Sequence, residues 1–151
     1  MLRPGVAFYA WGGFMAVRRE WVFGTHRAQL EEPDVLFVDF QGATGLEDAK
    51  RLLSIVQEVA AAQGPVFVIL DIDGSTIDKP AREHFSQLSN PDWLQGVVYV
   101  GTNRLQMASA KVVAFGLYLT GRLKGGVEFV SSQQAARELI DRKRVKTHVM
   151  R

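Results

Sequence analysis

The hydrophobic positions change rhythm along the chain, and each change marks an element. WVFGTHRAQL at 21–30 and VLFVDF at 35–40 are rich in aromatic and β-branched residues and flank the turn sequence EEPD, which predicts two strands joined as a hairpin. From there Leu46, Ala49, Leu52, Leu53, Val56, Val59 and Ala60 recur at helical spacing. Thr44 and Glu47 stand in front of them at the spacing of a capping box, and Gly64 closes the helix. VFVIL at 66–70 is an apolar run without polar alternation, the pattern of a strand covered on both faces. DIDGST at 71–76 reads as a polar loop, after which Asp78 is placed to cap a second helix with Pro80 in its first turn and Ala81, Phe85 and Leu88 on its inner stripe. Asn90-Pro91-Asp92 breaks that helix, VVYV at 97–100 predicts a further strand, and Gly101-Thr102-Asn103 turns into a helix over 105–120. A short strand at 127–130 follows Gly125-Gly126. Ser131 and Gln134 repeat the capping-box spacing ahead of a last helix with Ala135, Ala136, Leu139 and Ile140 on one side.

The expected order is β-β-α-β-α-β-α-β-α, a single α/β domain with a mixed five-stranded sheet whose one required antiparallel contact is the opening hairpin. No repeat, low-complexity tract or long linker divides it. The expected organisation is an apolar extension at 1–19, the domain at 20–145 and a basic tail at 146–151. Residues 6–17 are apolar between Arg3 and Arg18-Arg19, but Gly12 and Gly13 interrupt the run, and its length falls short of the roughly 20 residues that span a bilayer. It is expected to pack on its own domain or on a second subunit, with a membrane surface as the alternative.

Composition narrows the chemistry. The 151 residues include no cysteine, which removes disulfides, thiolate nucleophiles and sulfur-ligated zinc, and fits a cytoplasmic protein. The net charge of +2 is unevenly spread. Six Lys/Arg stand against Glu138 and Asp141 after position 136, so the body before them is slightly acidic and is not a nucleic-acid-binding surface. The run Arg142-Lys143-Arg144-Val145-Lys146 reads as a solvated helix end, where cations oppose the helix dipole.

Three segments, EEPDVLFVDFQGATGLEDAKRLL at 31–53, VFVILDIDGSTI at 66–77 and GGVEFVSSQQAARELI at 125–140, carry a resemblance to the STAS superfamily. More narrowly, the chain resembles the SpoIIAA-like, or STAS/CRAL-TRIO-like, stand-alone bacterial proteins. The resemblance implies a small non-enzymatic module that binds a regulatory protein, a nucleotide or a lipid. It also implies a departure, because anti-sigma-factor antagonists are switched by phosphorylation of a serine in Asp-Ser-Ser-Gly at the start of the helix after the central strand. The corresponding residues are Lys79-Pro80-Ala81-Arg82, with no hydroxyl. Ser75 and Thr76 lie earlier and read as turn residues bonded to their own backbone.

Candidate chemistry concentrates in the polar stretch after the central strand. Asp71, Asp73, Ser75 and Thr76 are the expected ligand or partner loop, since ligands of open α/β sheets sit at the carboxyl ends of the strands. Asp71-Ile72-Asp73-Gly74-Ser75 also resembles the opening motif of haloacid-dehalogenase-type phosphatases, in which the first aspartate is the nucleophile, the second an acid/base and Mg²⁺ neutralises the phosphate. The further acidic pair and the larger sheet of that chemistry are not evident, so the Mg-dependent phosphatase stands as the alternative. His26, His84 and His148 have no metal-ligand spacing, and Ser75, His84 and Asp78 lack a nucleophile elbow. No catalytic residue, metal or cofactor is expected.

The apolar surplus lies in 105–120. Leu105, Ala108, Val112, Phe115 and Leu119 fill one helical face, and Met107, Ala110, Val113, Ala114 and Leu117 make the others apolar too. A helix that is hydrophobic nearly all round must be covered. Another subunit, the run at 6–17 or a lipid-like ligand are the candidates, with Met107, Val113, Phe115, Leu117 and Tyr118 as the expected interface or pocket. The reading is therefore a homodimeric binding module for a regulatory protein or an amphiphilic small molecule, without nucleic acid and without stable membrane insertion.

Overall fold

The computed structural model describes residues 17–88, 90–102, 107, 108, 111 and 127–149. Their strands are β1 (Val17–Phe23), β2 (His26–Glu31), β3 (Val35–Thr44), β4 (Val66–Ile77), β5 (Leu94–Val100) and β6 (Val127–Val130). The helices are α1 (Leu46–Gln63), α2 (Lys79–Leu88) and α3 (Gln133–Val149), with a 3-10 turn at Pro91–Trp93. All six strands form one sheet in the order β1-β2-β3-β4-β5-β6. The first two pairings are antiparallel and the last three parallel.

The sheet has six strands where five were expected. The stretch 21–30 is not one strand: it folds back at Gly24-Thr25, and Phe23 opposite His26 closes a two-residue hairpin. Gly24 sits there at φ +59°, a conformation that costs glycine nothing. The opening is thus a three-stranded meander with two antiparallel contacts. A second correction falls on 71–76, which is not a loop, because β4 continues through it to Ile77 and pairs with the extension of β3. Both caps move by one residue. Gly45 takes the N-cap of α1, with its N–H donated to the third-position Asp48 Oδ2 at 3.0 Å, and Ser132 caps α3 by accepting from Ala135 N–H at 3.0 Å. Asp78 caps α2 as expected, accepting from Ala81 N–H at 2.9 Å.

Alternation along the strands divides the core. Leu36, Val38, Phe40, Val66 and Val68 face α1, whose Leu52, Ile55, Val56 and Val59 meet Trp21, Phe23, Ala28 and Leu30. The opposite face places Val35, Phe37, Phe67, Ile69, Val98 and Val100 under Ala136 and Ile140 of α3. β4 is covered on both sides, as its unbroken apolar run requires. α3 spans β3 to β6 and leaves Val22 of β1 70% exposed on its side of the sheet. Of the helix expected at 105–120, Met107, Ala108 and Lys111 are described, and all three are helical.

Candidate functional site

The parallel strands β3, β4 and β5 bring their carboxyl ends to one edge, and the polar sequence collects there. Asp39 pairs with Asp71, but Gln41 pairs with Gly74, so β4 carries one extra residue at Ile72-Asp73. Such a bulge re-aims the side chains around it. Asp71 stays on the α3 side. Its Oδ2 accepts from Gln133 Nε2 at 2.9 Å, in the first turn of α3, and its Oδ1 accepts from Asp73 N–H at 3.2 Å. Asp73 turns to the segment after β5, where its Oδ1 accepts from Thr102 N–H at 2.8 Å and both its oxygens lie within 3.3 Å of Thr102 Oγ1. The two carboxylates therefore leave the bulge for different elements. A Cβ on Gly74 would sit 2.9 Å from Oε1 of the exposed Gln41 side chain, whose end would have to shift.

Of the other expected loop residues, Ser75 is buried and donates its hydroxyl to Ile72 O at 3.0 Å, while Thr76 is exposed opposite Ala43. The sequence triad of Ser75, His84 and Asp78 is not drawn together by these bonds: Ser75 holds the bulge, Asp78 caps α2 and His84 is half-buried on α2. Met107 is half-buried, against Val97 and Tyr99. Val113, Phe115, Leu117 and Tyr118 lie outside the described residues, as does the apolar run up to residue 16. Among the described residues, no group of three His, Asp or Glu side chains is arranged to hold a metal ion.

A second polar cluster lies behind this edge and was invisible as a motif. The His26 side chain is fully buried, with Phe23 and Phe40 at ring-centroid distances of 5.4 and 5.2 Å. Gln41 N–H donates to His26 Nδ1 at 3.0 Å, so the imidazole carries its proton on Nε2. That nitrogen faces Asp48 Oδ2 at 3.4 Å and Thr44 Oγ1 at 3.5 Å. Thr25 Oγ1 donates to Gln41 O, so two side chains of the first turn bind both backbone groups of Gln41 and prolong the β2–β3 ladder beyond its last backbone pair. Residues 26, 41, 44 and 48 meet only through the topology. Thr44 alone had a local signal, as the expected cap of α1; Asp48 takes the third position only because the cap falls on Gly45.

The basic end is also put to structural use. Arg137 Nη2 and Nε donate to Glu31 at 2.8 and 3.3 Å, with Glu31 only 3% exposed and the guanidinium 5.1 Å from the centre of the Phe37 ring. Arg144, expected to be solvated, instead binds Asp34 and lies 5.6 Å from the Phe67 ring centre. At the amino edge of the strands Pro33, Asp34, Gln63, Pro65 and Gln95 line an open depression of about 460 Å³. Gln63 Nε2 donates to Pro33 O, and Gln95 Nε2 donates to both Asp34 Oδ2 and Pro65 O. Burial pushes the Tyr99 phenol above its ordinary range, and its ring stacks on Phe129 at 5.3 Å and 10°.

No family model and no curated protein matches the chain. Among solved structures it is similar to an uncharacterized protein of the DUF3478 family from Shewanella loihica PV-4, described as having a SpoIIAA-like fold. The two share 16% identity over 74% of this chain and 89% of the other, with a TM-score of 0.55. At that identity the likeness establishes the fold.

Proposed function

With a SpoIIAA-like fold as the premise, we propose that the protein is a non-enzymatic regulatory module that acts by binding a protein partner or an apolar, lipid-like ligand, as a cytoplasmic homodimer. The observation that carries the non-enzymatic reading is the use made of the polar carboxyl edge. Asp71 is bound to Gln133 and Asp73 to Thr102, so the carboxylates that a phosphatase would spend on nucleophile and acid/base join β4 to α3 and to the chain after β5. A nucleophile needs a carboxylate aimed at substrate; a binding surface needs a rigid edge. The apolar surplus of 105–120, read from the sequence, supports the dimer and the apolar ligand.

The test is direct. The purified full chain is expected to give no Mg²⁺-dependent hydrolysis of p-nitrophenyl phosphate; turnover that Asp71→Asn abolishes would establish the phosphatase instead. Native mass spectrometry is expected to show a dimer, with copurified amphiphile if the ligand is lipid-like. A monomer by light scattering at micromolar concentration, unchanged in Leu117→Asp, would overturn self-association.

A further inference from the structure

We propose that His26 is a protonation-controlled latch on the carboxyl end of β3, closed when the imidazole is neutral and opened by acid. The closed state is the one described: a wholly buried ring whose Nδ1 accepts the Gln41 N–H at 3.0 Å and whose Nε2–H is directed at Asp48 and Thr44. A backbone amide can only donate, so Nδ1 cannot carry a proton while this bond exists. Protonation sets two N–H groups against each other at Nδ1 and removes the bond.

The two sides of the ring respond in opposite ways, which makes this a switch. On the Nε2 side the new positive charge faces the Asp48 carboxylate at 3.4 Å, so the imidazolium gains an ion pair there. The ring is held, and the Gln41 peptide gives way. Among the described residues, the charged group facing the ring is Asp48 from α1; β1 contributes Phe23, β3 contributes Phe40, Gln41 and Thr44, and the first turn contributes Thr25. Asp78, before α2, has Oδ2 3.5 Å from where a Cβ of Gly45 would stand, and its Oδ1 accepts from Ala81 N–H. The Asp48 carboxylate favours a cation beside it and does not replace the acceptor that Gln41 loses.

Opening reaches the polar edge because Gln41 is one of its fasteners. Its backbone pairs with Gly74 beyond the bulge, its Nε2 donates to Asp39 Oδ1 at 2.8 Å, and its Oε1 packs on Gly74. Freeing the Gln41 peptide loosens the stretch of β3 that positions the segment from Gly74 to Ile77. The latch is a property of this edge and does not rest on the binding role proposed for it.

The experiment is an NMR titration of the ¹⁵N-labelled full chain from about pH 8 to about pH 5, across the window in which histidine changes charge. It follows the imidazole nitrogens of His26 and the exchange protection of the Gln41 amide. The expected result is an acceptor-type Nδ1 at high pH and a fall of about tenfold in Gln41 protection in step with His26 protonation, while the Ile69 amide stays protected. Asp48→Asn, which keeps an oxygen for Gly45 N–H but removes the charge, is expected to move that transition to lower pH. The proposal is overturned if the Gln41 amide keeps its protection while His26 protonates. It is equally overturned if His26 stays neutral until the whole chain unfolds, or if Asp48→Asn leaves the midpoint in place.

Discussion

Arg137→Met tests whether α3 is fastened by charge as well as by its apolar stripe. The substitution keeps an unbranched stem over Phe37 and deletes the guanidinium, leaving Glu31, 3% exposed, with Gln29 Nε2 at 3.0 Å as its remaining side-chain donor among the described residues. Breaking a buried ion pair from one side costs about 3–5 kcal/mol, because the surviving charge is stranded away from water. The Arg137 side chain is 26% exposed, so solvent reaches the pair and the lower end applies, about 3 kcal/mol. In a chain of 151 residues each kcal/mol moves Tm by about 3 °C, which gives a fall of about 9 °C. Glu31→Gln strands no anion and is expected to cost about 1–2 kcal/mol. The double variant leaves neither charge, so its cost should fall short of the sum of the single costs by about 2 kcal/mol in urea melts followed by circular dichroism. A coupling below about 0.5 kcal/mol would refute the reasoning and leave α3 held by its apolar stripe and by Gln133 and Arg144.

Asp73→Ala removes the acceptor of Thr102 N–H at an exposed site and is expected to cost about 1 kcal/mol in the same melts, with a larger loss of protection at the Thr102 amide than elsewhere. Gly64 closes α1 at φ +93° with nothing within 4 Å of an added Cβ, so Gly64→Ala should cost only backbone strain, about 1–3 kcal/mol. Gly24→Ala adds a collision, since its Cβ would lie 2.6 Å from Asp48 Oδ1, and should be the worse of the two by differential scanning calorimetry. Tyr99 stays neutral in the fold above the point, about pH 10, where an unfolded tyrosine ionises; folding stability is therefore full below that pH and is lost as pH rises beyond it. Its 295 nm ionisation signal should appear only with unfolding, and Tyr99→Phe should flatten the alkaline loss.

The parts of the fold that were legible are those where one physical cause acts alone. Burial on both faces wrote VFVIL at 66–70 as an unbroken apolar strand, and helical burial wrote the stripe of Ala49, Leu52, Val56 and Val59. Two causes met at the misread places. Gly24-Thr25 carries a two-residue hairpin signal, but the aromatic and β-branched residues on both sides disguise it as the middle of one long strand. Asp71 to Ile77 is strand by hydrogen bonding and loop by polarity, because the paired chain runs past the edge of the core that would have demanded apolar side chains. Asp71 and Asp73 were visible as a polar pair, whereas their partners Gln133 and Thr102 lie 62 and 29 residues away and carry no local mark. His26 was hidden more completely, since a buried histidine inside a strand looks in sequence like any solvated one.

Those partnerships also limit how the carboxyl edge can bind anything. A ligand that approaches Asp71 or Asp73 meets oxygens already accepting from Gln133 and Thr102, and Ser75 is committed to Ile72 O. Where it displaces Gln133 or Thr102 it exchanges one hydrogen bond for another, which contributes little net free energy. Under the proposed binding role the edge would serve orientation and selectivity, with affinity drawn from apolar area removed from water, about 25 cal/mol per Å². The chain supplies that area in sequence at 6–17 and 105–120, and Met107, the described member of the expected apolar set, packs on Val97 and Tyr99 of β5, one residue short of the strand end that leads to Gly101 and Thr102. Asp73, bound to Thr102, and Met107, packed on Val97 and Tyr99, thus adjoin at the carboxyl end of β5, so under the proposed binding role Asp73→Ala should alter specificity and Met107→Ala affinity.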